Sequence, residues 1–145
     1  MNVKIKLLRD GATLPEYATD GSAGADLCAL LDAPVTVAPG ATEKIPTGLS
    51  IELPVGYAAF VYARSGTATK RGLAPANKVG VIDSDYRGEI FVALHNHSGK
   101  PQEVACGERI AQLVLAPYYA ADFAVVDELD DTARGAGGFG STGTK

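Results

Sequence analysis

An all-β fold, a sandwich or barrel of short strands, is what this sequence predicts, and three observations predict it. Apolar and polar residues alternate over short stretches, turn signals separate those stretches, and only one segment carries helix punctuation. The 145 residues suit one domain with one core. With no Trp and only 7% aromatic residues, that core is expected to be built of Val, Ile, Leu and Ala.

In chain order, Val3, Ile5 and Leu7 alternate with Lys4 and Lys6, the period of a half-buried strand. Ile51 and Leu53 flank Glu52 in the same way. Further strands are expected in AAFVYA (58–63), EIFVAL (89–94), RIAQLVLA (109–116) and FAVV (123–126). Turns fall at APG (38–40), LPVG (53–56), SGKP (98–101) and ACGE (105–108). SGTATKRG (65–72) predicts the single short helix, with Ser65 as N-cap and basic residues before Gly72. Such a helix start offers free N–H groups and positive partial charge to an anion. From Gly135 onward no apolar period remains, and no internal repeat is found.

Seventeen acidic against thirteen basic side chains give a net charge of −4, which argues against nucleic-acid binding through a general basic field. A small polyphosphate needs only a few local donors. Cys28 and Cys106, without metal-type spacing, read as reduced, buried thiols of a cytosolic protein. His95 and His97 alternate on a strand-like stretch and are expected to face opposite ways, which disfavours a two-histidine metal site. The start of the chain has no apolar targeting core and no run approaches membrane-spanning length, so the cytoplasm is the simplest location.

Several stretches carry chemistry. GVIDSDYRGEI (80–90) reads as a hairpin whose turn holds Asp83, a carboxylate able to activate water. AGADL (23–27) places Asp26 among small residues, and RSG (64–66) sets Arg64 at the helix start. RGAGGFGSTG (134–143) spaces Gly135, Gly137 and Gly140 like a phosphate loop, yet lacks the strand and helix of a dinucleotide site. Arg134 and Ser141 can still bind phosphate there, and Phe139 can stack on a flat ring. Singly, each has an ordinary reading too: a capping Asp, an Asx turn, a solvated tail.

Together, AGADL, RSG, GVIDSDYRGEI, GERIAQLV (107–114) and RGAGGFGSTG resemble, in order and spacing, the five motifs of the trimeric dUTPases, from about Val3 to Gly143. The resemblance implies a β-clip or distorted jelly roll with one short helix, in a homotrimer with exchanged C-terminal arms. Residues 1–133 would be the body, and 134–145 a Gly-rich arm over a neighbouring subunit's site. It implies hydrolysis of dUTP to dUMP and diphosphate with Mg²⁺, supplying dUMP for thymidylate synthesis and keeping uracil out of DNA. Asp83 would orient and deprotonate the attacking water, with Gln112 beside the α-phosphate. Arg64, Ser65 and Gly66 would hold phosphates, joined by Arg134, Gly140 and Ser141. Asn77 and the backbone of Gly80, Val81, Ile82 and Asp83 would read uracil, Tyr86 would lie under the deoxyribose, and Phe139 would cover the base. Asp26 would reach the metal through water. Neither nucleic acid nor membrane is implied as a partner.

The dCTP deaminases resemble the same family. They carry a catalytic Glu on the strand after the Asp motif, where Ala93 stands here, and usually a Trp in place of Tyr86. Glu89 is close, and is expected to face away from the site. Ala63, before Arg64, stands where many relatives have Pro or Gly, and removes no chemical group. A non-catalytic assembly module on the same scaffold would not be expected to keep Asp83, Gln112, Arg134 and Phe139 together.

Overall fold

The computed structural model describes residues 1–138. Among them are twelve strands and one helix: β1 (Lys4–Leu7), β2 (Glu16–Tyr17), β3 (Gly24–Cys28), β4 (Val35–Val37), β5 (Thr42–Pro46), β6 (Leu49–Glu52), β7 (Tyr57–Tyr62), α1 (Ser65–Arg71), β8 (Leu73–Pro75), β9 (Gly80–Ile82), β10 (Phe91–Asn96), β11 (Gln102–Val104) and β12 (Arg109–Pro117). All pairings are antiparallel. A five-stranded sheet runs β2-β3-β12-β7-β9 and a three-stranded sheet β5-β10-β8, with the pairs β1-β6 and β4-β11 completing the body. No helix among the described residues is long and apolar enough to cross a membrane.

Strand β12 is the axis of the larger sheet. Leu113 stands opposite Ala25 of β3 and Val61 of β7, and Gln112 opposite Asp26 and Tyr62. Residues opposite one another share a face, and neighbours along a strand alternate. One face therefore carries Ala25, Leu27, Ala59, Val61, Ala111 and Leu113, all buried. The other carries Gly24, Asp26, Tyr62, Gln112 and Val114, so the polar side chains of the site stand on the outer face. A bulge between Arg109 and Ala111 sets this register.

The core is aliphatic, as the composition predicts: Leu27, Val37, Ile45, Leu49, Leu73, Leu94 and Ile110 are all but inaccessible. Truncating one of these to Ala costs about 2–5 kcal/mol. Among the polar groups, Asn96 is fully buried yet satisfied. It donates to the carbonyls of Val37 (2.9 Å) and Lys100 (2.8 Å) and accepts from Ser98.

Five sequence expectations need correction. The helix begins at Ser65, so Arg64 is the N-cap and makes no side-chain cap bond; its extended backbone (φ −80°, ψ 135°) leads the chain in. Gly72 ends the helix as expected, with φ 70° and a Cβ position only 2.9 Å from Ser98. The 80–90 stretch is not a hairpin: β9 pairs with β7 and β10 with β5 and β8, so the turn carries the chain between sheets. Residues 123–126 form no strand. After Pro117 the chain leaves the sheet, and an apolar run without a partner's N–H and C=O groups makes no ladder; Val125 is fully exposed. The rings of His95 and His97 are 4.4 Å apart, because side chains two residues apart on a strand return to the same face. Finally, Cys106 lies exposed in the turn before β12 rather than buried, and Cys28 is partly buried; both are free thiols.

Candidate active site

A cavity of about 270 Å³ opens at the β9 edge of the large sheet. Asn77, Gly80, Val81, Ile82, Asp83 and Tyr86 all line it, with Lys44, Phe91 and Ala93 from the small sheet. Lys44 Nζ lies 3.9 Å over the Phe91 ring. Strand β9 sits against β7 with Gly80 opposite Val61, and a Cβ at Gly80 would come 3.2 Å from Val61 and 3.5 Å from Asn77 Nδ2. Asn77 occupies a tight turn in which Lys78 takes the left-handed conformation (φ 64°) and donates its N–H to Pro75 (3.0 Å). Ala76 N–H donates to Ala93 (2.8 Å), so the turn is pinned to β10.

Beyond β9 the chain turns at once. Tyr86 N–H donates to the Asp83 carbonyl (3.2 Å), and Arg87 Nη1 to the carbonyls of Ser84 (2.8 Å) and Tyr86 (2.9 Å). The turn holds exposed Asp83 at the rim, its carboxylate free of hydrogen bonds and ion pairs among the described residues. Glu89, expected to face away, also lines this cavity; its carboxylate accepts from Gly48 N–H (2.8 Å) and lies 3.8 Å from Arg9.

A second, polar depression of about 600 Å³ is lined by Gly24, Asp26, Arg64, Ser65, Gly66 and Gln112, with Ser22 and Val114 beside them. Arg64 grips Asp26 with two donors, Nε to Oδ1 at 2.7 Å and Nη2 to Oδ2 at 3.3 Å. Arg109 Nη1 adds a third bond to Oδ2 at 3.3 Å. Two guanidiniums around one carboxylate leave the cluster net positive. Gln112 Nε2 donates to the Ala63 carbonyl (3.0 Å), a main-chain acceptor that any residue at 63 would supply. Its Oε1 lies 2.7 Å from where a Cβ on Gly24 would be, so only glycine leaves the amide in this place. Nearby, burial first and the Asp26 charge second push the Cys28 thiol above its ordinary pKa.

The two depressions share no lining residue. The cavity takes Val61, Gly80 and Ile82 from the inner face and Val81 from the outer one at the β9 edge, whereas Asp26, Gln112 and Val114 stand on the outer face of β3 and β12, so the two openings are separate. Every predicted site residue through Gln112 lines one or the other. Arg134 lines neither; its Nε donates to the Gly137 carbonyl (2.7 Å) in an exposed turn. Phe139, Gly140 and Ser141 lie outside the described residues. Among the described residues no group of three or more His, Cys, Asp or Glu side chains could hold a metal.

Sequence reasoning missed Arg109 and Gly24. Gly24 was within reach of it: two residues before Asp26, it shares that residue's face. Arg109 was not, because the bulge beside it breaks the alternation.

The dUTPase family profile matches residues 10–143. A deoxyuridine 5'-triphosphate nucleotidohydrolase of Desulfitobacterium hafniense (strain DSM 10664 / DCB-2) is 57% identical, covering 99% of this chain and 97% of its own. Its counterpart in Hahella chejuensis (strain KCTC 2396) is 52% identical, with 97% and 93% covered. Among solved structures, the dUTPase of Staphylococcus bacteriophage 80alpha with dUpNHpp superposes with a TM-score of 0.86 at 26% identity, covering 99% of both chains. A dUTPase variant from phage phi11 of S. aureus, with a coordinated structural Mg(II) ion, shares the fold with a TM-score of 0.80 at 22% identity, covering 90% of this chain and 100% of that one.

Proposed function

The chain belongs to the dUTPase family, and from that premise we propose that it cleaves dUTP to dUMP and diphosphate in sites shared between the subunits of a homotrimer. One observation carries the shared site. The cavity suited to the base, at the β9 edge, and the depression suited to phosphates, on β3 and β12, share no lining residue, and a single nucleotide needs both. Subunits arranged head to tail about a threefold axis bring one chain's cavity to the next chain's outer face.

The uracil enters the cavity. Its O4 and N3–H edge meets the Asn77 amide and the main chain of Gly80–Ile82, which supply donor and acceptor together. Cytosine presents the reverse pattern and leaves those groups unpaired, at about 1–3 kcal/mol each. Main chain this close to the base also leaves no room for a thymine methyl. Tyr86 forms the floor under the deoxyribose and rejects a 2′-hydroxyl. Ala93, which lines the cavity, puts a methyl group where a deaminase places its Glu.

The triphosphate lies along the polar depression. Arg64, Ser65 and Gly66 supply its charge and donors, and Gln112 contacts an α-phosphate oxygen and the attacking water. Asp83 accepts the proton of that water as its oxygen attacks the α-phosphorus. The bond from phosphorus to the bridging oxygen breaks, and diphosphate leaves. Asp26 is the one carboxylate among the described residues lining the depression, and its oxygens keep lone pairs beyond those facing Arg64 and Arg109. That donor set suits Mg²⁺ carried chiefly by the triphosphate, with Asp26 reached through water. Bound so, Mg²⁺ neutralises phosphate charge. The arm from residue 134 closes over the site, with Arg134, Gly140 and Ser141 on phosphate and Phe139 on the base. In the cell this activity supplies dUMP and keeps dUTP low.

Product analysis with dUTP, dCTP, dTTP and UTP tests the reading. We expect dUMP and diphosphate in equal amounts from dUTP, and little turnover of the others. Ammonia from dCTP, or comparable cleavage of all four, would overturn it.

A further inference from the structure

Gly88 stands two residues beyond Tyr86 and does not itself line the cavity. Its backbone is not in the left-handed region, so conformation alone does not demand glycine there. Space does. A Cβ at Gly88 would lie 2.3 Å from the Tyr86 hydroxyl oxygen, 2.5 Å from Cζ and 2.9 Å from Cε2. The Tyr86 ring lies across the bare main chain of Gly88, and its hydroxyl donates to the Glu89 carbonyl at 2.9 Å. Arg87 ties the same turn from the other side through the Ser84 and Tyr86 carbonyls. The ring is held in one place by one hydrogen bond and one missing methyl group.

We propose that Gly88 is a specificity-determining positioning residue: its lack of a side chain sets the place of the Tyr86 ring and thereby the rejection of ribonucleotides. The inference rests on the reading that Tyr86 lies under the deoxyribose. Ordinary contact begins near 3.4 Å, so a methyl group at 88 displaces the ring end by about 1 Å. That displacement breaks the hydrogen bond to Glu89 and frees the floor of the sugar site. The end of an exposed side chain yields easily, so the body of the fold is left as it is.

The test compares the parent, Gly88→Ala, Tyr86→Ala and the double variant. Its readouts are the ratio of kcat/KM for dUTP over UTP, and thermal melting. Gly88→Ala is expected to melt close to the parent while its ratio falls about tenfold. In the Tyr86→Ala background, adding Gly88→Ala is expected to leave the ratio nearly unchanged, since the ring through which it acts is gone. A parental ratio in Gly88→Ala, with a lowered one in Tyr86→Ala, overturns the inference and leaves the reading of Tyr86 standing. A parental ratio in Tyr86→Ala overturns both. An equal effect of Gly88→Ala in both backgrounds shows that it acts on something other than the ring, and also overturns the inference.

Discussion

The cavity at β9 and the polar depression around Asp26, proposed for the base and for the phosphates, are built by different means. The cavity joins a short edge strand with Gly80 and two tight turns to side chains of the small sheet and its approach, Lys44, Glu89 and Phe91, around a space of about 270 Å³. Asp83, proposed as the base, has no charged partner among the described residues. The depression is made of side chains locked to one another. Arg64 and Arg109 hold Asp26, and Gln112 is wedged between the Ala63 carbonyl and Gly24. On the proposed reading, selectivity rests on the cavity around β9, whereas phosphate placement rests on a preset network. Changes at the cavity should alter which nucleotide reacts or whether water is activated. Changes at the depression should alter how well the phosphates are placed.

The sharpest way to break this division is Asp83→Asn. The substitution keeps size and removes the base, so kcat should fall about 10²–10⁴-fold while dUTP affinity, measured by calorimetry, stays near the parent's. Near-normal turnover would remove Asp83 from the chemistry. Ending the chain after Asp131 should come next. The body keeps its strands, so its melting and its mass in solution should hold, while kcat/KM falls by about tenfold or more through loss of positioning. Unchanged kinetics would make the arm dispensable. Gly24→Ala should have the smallest of these effects. Its methyl group pushes Gln112 off the Ala63 carbonyl, and kcat is expected to fall about tenfold with no change in the dUTP/UTP ratio. A changed ratio would mean that the depression also selects the sugar, and the division would fail.

Much of the fold could be read from the chain because period-2 alternation is a local consequence of one buried face. It marks Lys4–Leu7 directly, while Arg109–Pro117 shows as a longer apolar run. Pairing is not local. Turn chemistry at Asp83–Gly88 looks the same whether the next strand returns to its neighbour or crosses to another sheet, so a crossing read as a hairpin. The apolar run at 123–126 read as a strand because sequence does not show whether a partner edge is there. The site followed the same rule. Motif residues such as Asn77, Asp83 and Gln112 each line a depression, but the fork from Arg64 to Asp26 spans 38 positions and the bond from Arg109 spans 83. Why positions 24 and 88 are glycine became apparent only once Gln112 and Tyr86 were seen to occupy the missing side chains' space.

Subunit mixing tests the shared site most directly. Asp83→Asn and Gln112→Ala chains, each expected to be nearly inactive alone, are unfolded together in equal amounts and refolded. If the cavity of one chain works with the depression of another, random trimers regain a fully equipped site at about one interface in four, and activity rises to about a quarter of the parent's. If each site lies within one chain, the mixture stays at the average of the two variants, and that result would contradict the account.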